Sequence, residues 1–322
     1  MSIFSKLQPV FIVSAALAGI AVGKLNPFIA EHSSAYIEIF LMIMLFFVFL
    51  SVDIGKITRS FRDFRFSLSS LLINFVWTPL FAFALSKFFL SESIDLQIGF
   101  IMLMVTPCTD WYLIFTGLAG GNAALGSSVL PLNLILQIVL LPAYLFMFMG
   151  ASVSFELFVI TKSIGMVLIM PLLLSTLVKL ALSKSNKQDI MGVILSKSDD
   201  IQLLLLCLAI IAMFASQGSL LLKNLFVFLT LLIPLLIFFV VNFILAYFVG
   251  NIVKQSFQDT IPLIFTTSAR NSPVSLAIAT ITFPFQPVIM LVLVIGPLIE
   301  LPVLAVEAFI LKRMDNQRKI KK

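Results

Sequence analysis

Three charged residues stand where charge is costly. Asp110, Arg270 and Glu300 each lie inside a long apolar stretch, and on insertion scales Asp or Arg at a bilayer centre costs roughly 2.5–3.5 kcal/mol. Groups placed there face a cavity or a partner. Asp110 belongs to TPCTD (106–110) and Arg270 to SARNSP (268–273). Each motif carries a proline, Pro107 or Pro273, that breaks the helical hydrogen-bond ladder. Opposite charges at two breaks can pair, either as a lock between helices or as part of a site. Thr109, Asn271 and Ser272 bring polar groups to the same breaks, where they can satisfy freed backbone or contact a substrate. Glu300 lies in GPLIELP, between Pro297 and Pro302. Apolar surroundings disfavour the charged form of a carboxyl, which suits a proton carrier. The other reading is a neutral Glu bonded to a neighbouring span. Glu307 lies nearer the end of its run and can snorkel.

Cysteine supplies the remaining chemistry. A buried Cys is ordinarily a small packing residue, and Cys207 reads that way. Cys108 is different because it follows Pro107 at a break, beside Thr109 and Asp110. Sulfur there can act as a soft ligand for thiophilic species. Asn74 and Asn133, polar groups within apolar runs, read as interhelical hydrogen bonds. The one histidine, His32, falls in a loop and excludes an HExxH metal site, and no P-loop is present. No cofactor and no bound metal are expected. No catalytic cluster gathers near an interface, so an enzyme is not expected.

The elements that must hold these residues are membrane helices. Only 11% of the 322 residues are charged and 61% are hydrophobic, whereas soluble domains are about one-quarter charged. Apolar runs long enough to span occur at about 9–23, 34–53, 66–89, 97–118, 123–149, 160–182, 201–217, 225–250, 259–283 and 287–311. The N-terminus resembles a signal peptide but lacks a small-residue cleavage site, and reads as the first span. The mixed-charge stretch from Asp189 to Ser198 reads as a linker. The net charge of +6 would suggest nucleic acid in a soluble protein, but here most cations lie between the apolar runs. With the N-terminus inside, sixteen of the 21 Lys and Arg fall on the inner side and four on the outer, leaving Arg270 within a span. That bias predicts cytoplasmic termini and an even number of spans.

The fold class expected is therefore an all-α membrane protein of about ten transmembrane helices. They divide into two halves, 1–151 and 152–322, the second ending in a short basic tail. An odd number of spans per half inverts one half relative to the other. The fourth and ninth helices carry the breaks, and each is followed by an apolar helix with a proline and a polar group: Pro131 with Asn133, and Pro297 with Glu300. Interrupted helices at matching positions point to a midplane binding site.

The stretches TPCTDWYLIFTGLAGGNAALG, SARNSPVSLAIA and GPLIELPVLAVEAF resemble the bile acid:sodium symporter superfamily, and within it the arsenical-resistance, or arsenite efflux, branch. The resemblance implies ten helices in two inverted five-helix repeats, with a panel and a core domain. It also implies that Cys108 and Glu300 match the functional cysteine and glutamate of that branch, which exports arsenite in exchange for protons. Where sodium-coupled members carry a Glu and a Gln before the Asn of the ninth-span break, this chain has Thr266 and Arg270. A guanidinium there would repel sodium.

The expected function is secondary transport, as proton-linked efflux of arsenite or a related metalloid. Its substrate-binding residues would be Cys108, Thr109, Asp110, Arg270, Asn271 and Ser272, with Glu300 coupling the proton. The alternative is a carrier of a small organic anion with Arg270 as counter-ion; a membrane sensor or enzyme ranks lower. The partners expected are a small-molecule substrate and the lipid bilayer, and no nucleic acid is expected.

Overall fold

The computed structural model describes residues 8–51, 63–108, 111–150, 170–184, 188–223 and 225–320. Thr109 and Asp110, the expected start of the sixth span at 160–169, and Lys6, Lys56, Arg59, Arg62, Lys162, Lys187, Lys321 and Lys322 lie outside the described residues. The helices are α1 (Gln8–Leu25), α2 (Pro27–Ser51), α3 (Phe64–Leu72), α4 (Thr78–Phe89), α5 (Ile94–Met104), α6 (Trp111–Leu118), α7 (Ala123–Met149), α8 (Met170–Lys184), α9 (Gln188–Lys223), α10 (Leu225–Ile252), α11 (Phe257–Ser268), α12 (Ser272–Thr282) and α13 (Pro287–Ile320). Among the described residues, four stretches are long and apolar enough to cross a bilayer: Phe64–Phe89, Ala123–Phe148, Phe226–Ile252 and Pro287–Arg318. A fifth forms if Met191–Ser198 and Asp200–Ser216, bent by 47°, count as one. The stretch expected to be a linker at 189–198 is instead the start of α9. Its charges are interspersed with Ile190, Met191, Val193, Ile194 and Leu195, all of which tolerate a helix.

The chain packs as two compact units, each drawing on both halves of the sequence. One comprises Met1–Val52, Phe155–Val227 and Pro273–Val294. In it α9 packs on α1 and α2, and α8 packs on α2. A Cβ on Gly19 would fall 2.7 Å from the Ile211 carbonyl oxygen and from Phe214 Cβ, and one on Gly23 would strike the Ala215 backbone. Small residues four apart let membrane helices approach this closely. Lys179 Nζ donates to the Phe49 carbonyl at 3.1 Å, closing one of the free carbonyls in the last turn of α2.

The other unit, Asp53–Ser154, Phe228–Ser272 and Ile295–Lys322, holds the candidate site. Its helices are joined where prolines remove backbone donors. Pro79 has no N–H for the carbonyl of Phe75, and Tyr144 Oη donates to that oxygen at 2.7 Å. Pro262 likewise leaves the Gln258 carbonyl free, and the Asn122 amide donates to it at 2.8 Å. The Asn122 side chain caps α7 by accepting from Leu125 N at 3.1 Å. Its Nδ2 donates to Asp259 Oδ1 at 2.8 Å, in the first turn of α11. The turn before it brings backbone against α11: a Cβ on Gly121 would lie 2.5 Å from Ile261 Cγ2. Gly120, with φ +81°, takes the left-handed conformation that the turn requires.

Between α3 and α4 the helix widens into a π turn at Ile73–Trp77, which contains the buried Asn74. Such bulges re-aim side chains without ending the helix. The Tyr144 bond is open to a direct check. Tyr144→Phe leaves the buried Phe75 carbonyl without a donor, at a cost of about 1–3 kcal/mol. The expected outcome is a lower unfolding temperature in detergent, measured by thermal shift; an unchanged temperature would show that the carbonyl finds another donor.

Candidate functional site

The two expected breaks are present, and they meet. Helix α5 ends at Met104 and α6 begins at Trp111; α11 ends at Ser268 and α12 begins at Ser272. The short extended pieces between them pair in antiparallel fashion, Pro107 opposite Arg270. The Cys108 amide donates to the Ala269 carbonyl at 3.0 Å, and the Asn271 amide donates to the Thr106 carbonyl at 2.7 Å. Each break thus supplies backbone partners that the other lacks, which apolar surroundings demand. Thr106 Oγ1 donates back to its own helix, to Met102 O at 3.0 Å or Leu103 O at 3.1 Å.

The meeting creates a concentration of negative potential. The last turn of each leading helix carries carbonyls with no helical donor, and the dipoles of α5 and α11 end here. Arg270 answers both. Its Nη1 donates to Met104 O at 2.8 Å and its Nε to Ser268 O at 3.0 Å. Its Nη2 donates to Thr267 O and, at 3.3 Å, to Asn74 Oδ1 on the π turn. The guanidinium carbon lies 5.1 Å from the centroid of the Phe238 ring, a cation–π contact. With only 2% of its surface exposed, Arg270 has exchanged water for this oxygen cage.

Glu300 approaches from α13. Its Oε1 accepts from the Arg270 backbone amide at 2.9 Å, and the residue is 3% exposed. The guanidinium itself turns towards the helix ends, so Glu300 and the Arg270 side chain interact through space and not as a bonded ion pair. Cys108 is also buried. The Trp111 amide, at the start of α6, donates to Cys108 Sγ at 3.3 Å. Asn271 and Ser272 are buried at the same crossing.

The structure therefore brings together Cys108, Arg270, Asn271, Ser272 and Glu300, while Thr109 and Asp110 fall outside the described residues. Thr266 forms part of a different contact, accepting from Asn133 Nδ2 at 3.0 Å. Asn133 is the expected interhelical bond, and Asn74 has the more specific task of holding Arg270. Sequence reasoning passed over Asn242, whose Nδ2 donates to Thr267 O at 3.0 Å and whose Oδ1 accepts from Trp77 Nε1 at 3.0 Å. It is an amide inside an apolar run, the same signal that marked Asn74. Phe238 had no signal among the 33 phenylalanines.

Apolar spans interrupted around buried charge make this an integral membrane protein of the transporter class. The chain belongs to the Sodium Bile acid symporter family, whose sequence profile matches residues 38–224. It is 23% identical over 323 residues to the arsenical-resistance protein Acr3 of Corynebacterium glutamicum, covering 94% of this chain and 87% of that protein. To the arsenical-resistance protein Acr3 of Alkaliphilus metalliredigens it is 22% identical over 321 residues, covering 94% and 90%. A protein of Synechocystis sp. named as an uncharacterized transporter, slr0944, is 22% identical over 342 residues, covering 97% and 89%. As a transporter of this family, the chain takes a small-molecule substrate and resides in a lipid bilayer.

The cage makes the charge balance testable. Arg270→Gln strips the cation from the two helix ends and leaves Glu300 without a positive neighbour; breaking a buried charge pair costs about 3–5 kcal/mol. Folded yield, read by size-exclusion chromatography, should fall sharply. Adding Glu300→Gln should restore part of it, because no uncompensated carboxylate remains; additive losses would show that the two groups act independently.

Proposed function

We propose that this transporter exports arsenite, or a related trivalent metalloid, in exchange for protons. Arsenite is neutral near pH 7 and thiophilic, so a sulfur ligand can hold it where a charge cannot. The observation that carries the proposal is the placement of Cys108 and Glu300. The backbone of Cys108 bonds Ala269 at 3.0 Å and the carboxyl of Glu300 bonds Arg270 at 2.9 Å. A soft donor and a buried proton acceptor are thereby fixed to successive residues of one strand. The two relatives named as arsenical-resistance proteins support the substrate class.

In this mechanism Cys108 ligates the substrate, and Thr109, Asp110, Asn271 and Ser272 complete its site. Glu300 takes up a proton as substrate leaves and releases it on the return. The proposal includes ten spans in two inverted halves, 1–151 and 152–322, located in the cell membrane with both termini cytoplasmic. The rival reading, a small organic anion held by Arg270, is disfavoured by the guanidinium's four bonds to protein oxygens. An incoming anion would have to displace them.

Two measurements in inverted membrane vesicles test the proposal. Cys108→Ser should abolish arsenite uptake and Cys207→Ser should leave it intact. Full transport by Cys108→Ser would remove the thiol from the mechanism, and no arsenite transport by the unaltered protein would favour the anion carrier. Replacing sodium with a large inert cation should leave uptake unchanged, because Arg270 already occupies the oxygen cage; a strict sodium requirement would overturn that assignment.

A further inference from the structure

Three of the bilayer-length stretches end at one rim. Phe64–Phe89 starts there, and Phe226–Ile252 and Pro287–Arg318 finish there. The turn between α10 and α11 holds them together. Arg65, in the first turn of α3, donates from Nη1 to the Val253 carbonyl at 3.4 Å. Arg318, near the end of α13, donates from Nη2 to Tyr247 Oη at 3.0 Å, and its guanidinium carbon lies 4.1 Å from the centroid of the Phe257 ring. Gln258 Nε2 donates to Asp315 Oδ1 at 3.2 Å. All of these residues belong to the unit that contains the candidate site.

The rim carries unmatched positive charge. Arg65, Lys254 and Arg318 are exposed, and the two arginines bond neutral oxygens only among the described residues. The acids nearby are occupied. Asp63 caps α3, accepting from Phe66 N at 3.4 Å. Asp259 accepts from Ser256 Oγ at 2.6 Å and from Asn122 Nδ2 at 2.8 Å, and Asp315 is buried against Gln258. Arg65 gains nothing from its own helix, because a cation in the first turn opposes the helix dipole. Lys254 stands out by its backbone. Its amide donates to Asn251 O at 3.1 Å, and the Gln255 amide donates to Gly250 O at 2.9 Å. This pair of bonds closes a helix through a left-handed residue that is usually glycine. Here it is a lysine with φ +58°, against the steric preference of a residue with a side chain. Glycine would suit the turn better, so the fold alone does not account for the lysine.

Apolar side chains adjoin these cations. Phe64 and Leu68 at the start of α3, and Phe248 and Ile252 at the end of α10, are exposed. A ligand that matches both features has an anionic head and a hydrocarbon tail. We propose that this rim binds an anionic phospholipid, with Arg65, Lys254 and Arg318 supplying charge for the phosphate and the four apolar residues receiving the acyl chains. A zwitterionic lipid brings its own ammonium and loses most of the attraction. A soluble phosphate leaves the apolar flank unused. The orientation proposed above would put the rim at the inner leaflet, whose anionic lipids attract basic residues just beyond a span.

The test is a lipid titration of the full-length protein in non-ionic detergent, with the unfolding temperature read at each concentration. Phosphatidylglycerol should raise that temperature more than phosphatidylcholine does; equal rises would overturn the proposal. Glycerol phosphate, the head without the chains, should have no effect. A rise equal to that with phosphatidylglycerol would make the rim a site for free phosphate and overturn the lipid assignment. Lys254→Gly should unfold no lower than the unaltered protein when lipid is absent, because glycine relaxes the left-handed turn. Its half-maximal phosphatidylglycerol concentration should rise about fivefold, the worth of one cation beside an anionic bilayer surface. Adding Arg65→Gln should raise it further. Lys87→Gln, at the opposite end of the Phe64–Phe89 stretch, should leave it unchanged. An unchanged value in Lys254→Gly, or an equal rise in Lys87→Gln, would reject the site. No transport is measured, so this proposal and the arsenite proposal fail separately.

Discussion

Two helix C-termini meeting inside an apolar unit pose the problem that the rest of this structure answers. Each end presents carbonyls that no helical N–H can reach, and each carries the negative pole of its helix. In water these groups would be hydrated. Here they close on the guanidinium of Arg270, which donates to Met104, Thr267 and Ser268 and to the Asn74 side chain. Desolvation of the cation is offset by the same contacts that satisfy the carbonyls. The π turn at Ile73–Trp77 supplies Asn74 to that charge, and the Phe238 ring lies 5.1 Å from it.

A helix break is stable in this setting only if its backbone is satisfied, and the crossing shows how. Cys108 and Asn271 donate across to Ala269 and Thr106. Away from the crossing, prolines leave single carbonyls free, and Tyr144 and Asn122 fill them. These bonds tie α3–α4 to α7 and α6–α7 to α11, so the breaks rest on helices that cannot shift independently. Rigid support of this kind is what the binding role proposed for Cys108 requires, because its sulfur must then hold a fixed position.

The family carries sodium in its name, and this member holds an organic cation where its helix ends converge. That substitution changes what coupling must accomplish. A tethered guanidinium cannot leave, so in the proton exchange proposed above the mobile charge is another species, and the buried carboxyl of Glu300 is the group assigned to carry it. Glu300 bonds the Arg270 amide and not its guanidinium. Its protonation can therefore change without dismantling the cage.

Much of this was legible in the residues themselves. Long apolar runs with few charges require membrane helices, and Pro107 and Pro273 mark both breaks because proline cannot donate to the ladder. The rarity of buried charge singled out Arg270 and Glu300, and neighbouring sequence set Cys108 apart from Cys207. What the residues left open was who faces whom. Opposite signs suggested Asp110 for Arg270; Asp110 lies outside the described residues, and three of the guanidinium's described partners are backbone carbonyl oxygens, one of them 166 residues away. Carbonyl oxygens have no side-chain signature, and their availability depends on where two distant helices end in space. The same holds for Glu307, which reads from sequence as a carboxylate near a helix end. Packing leaves it only 5% exposed, because burial belongs to the packed helices and not to the residue.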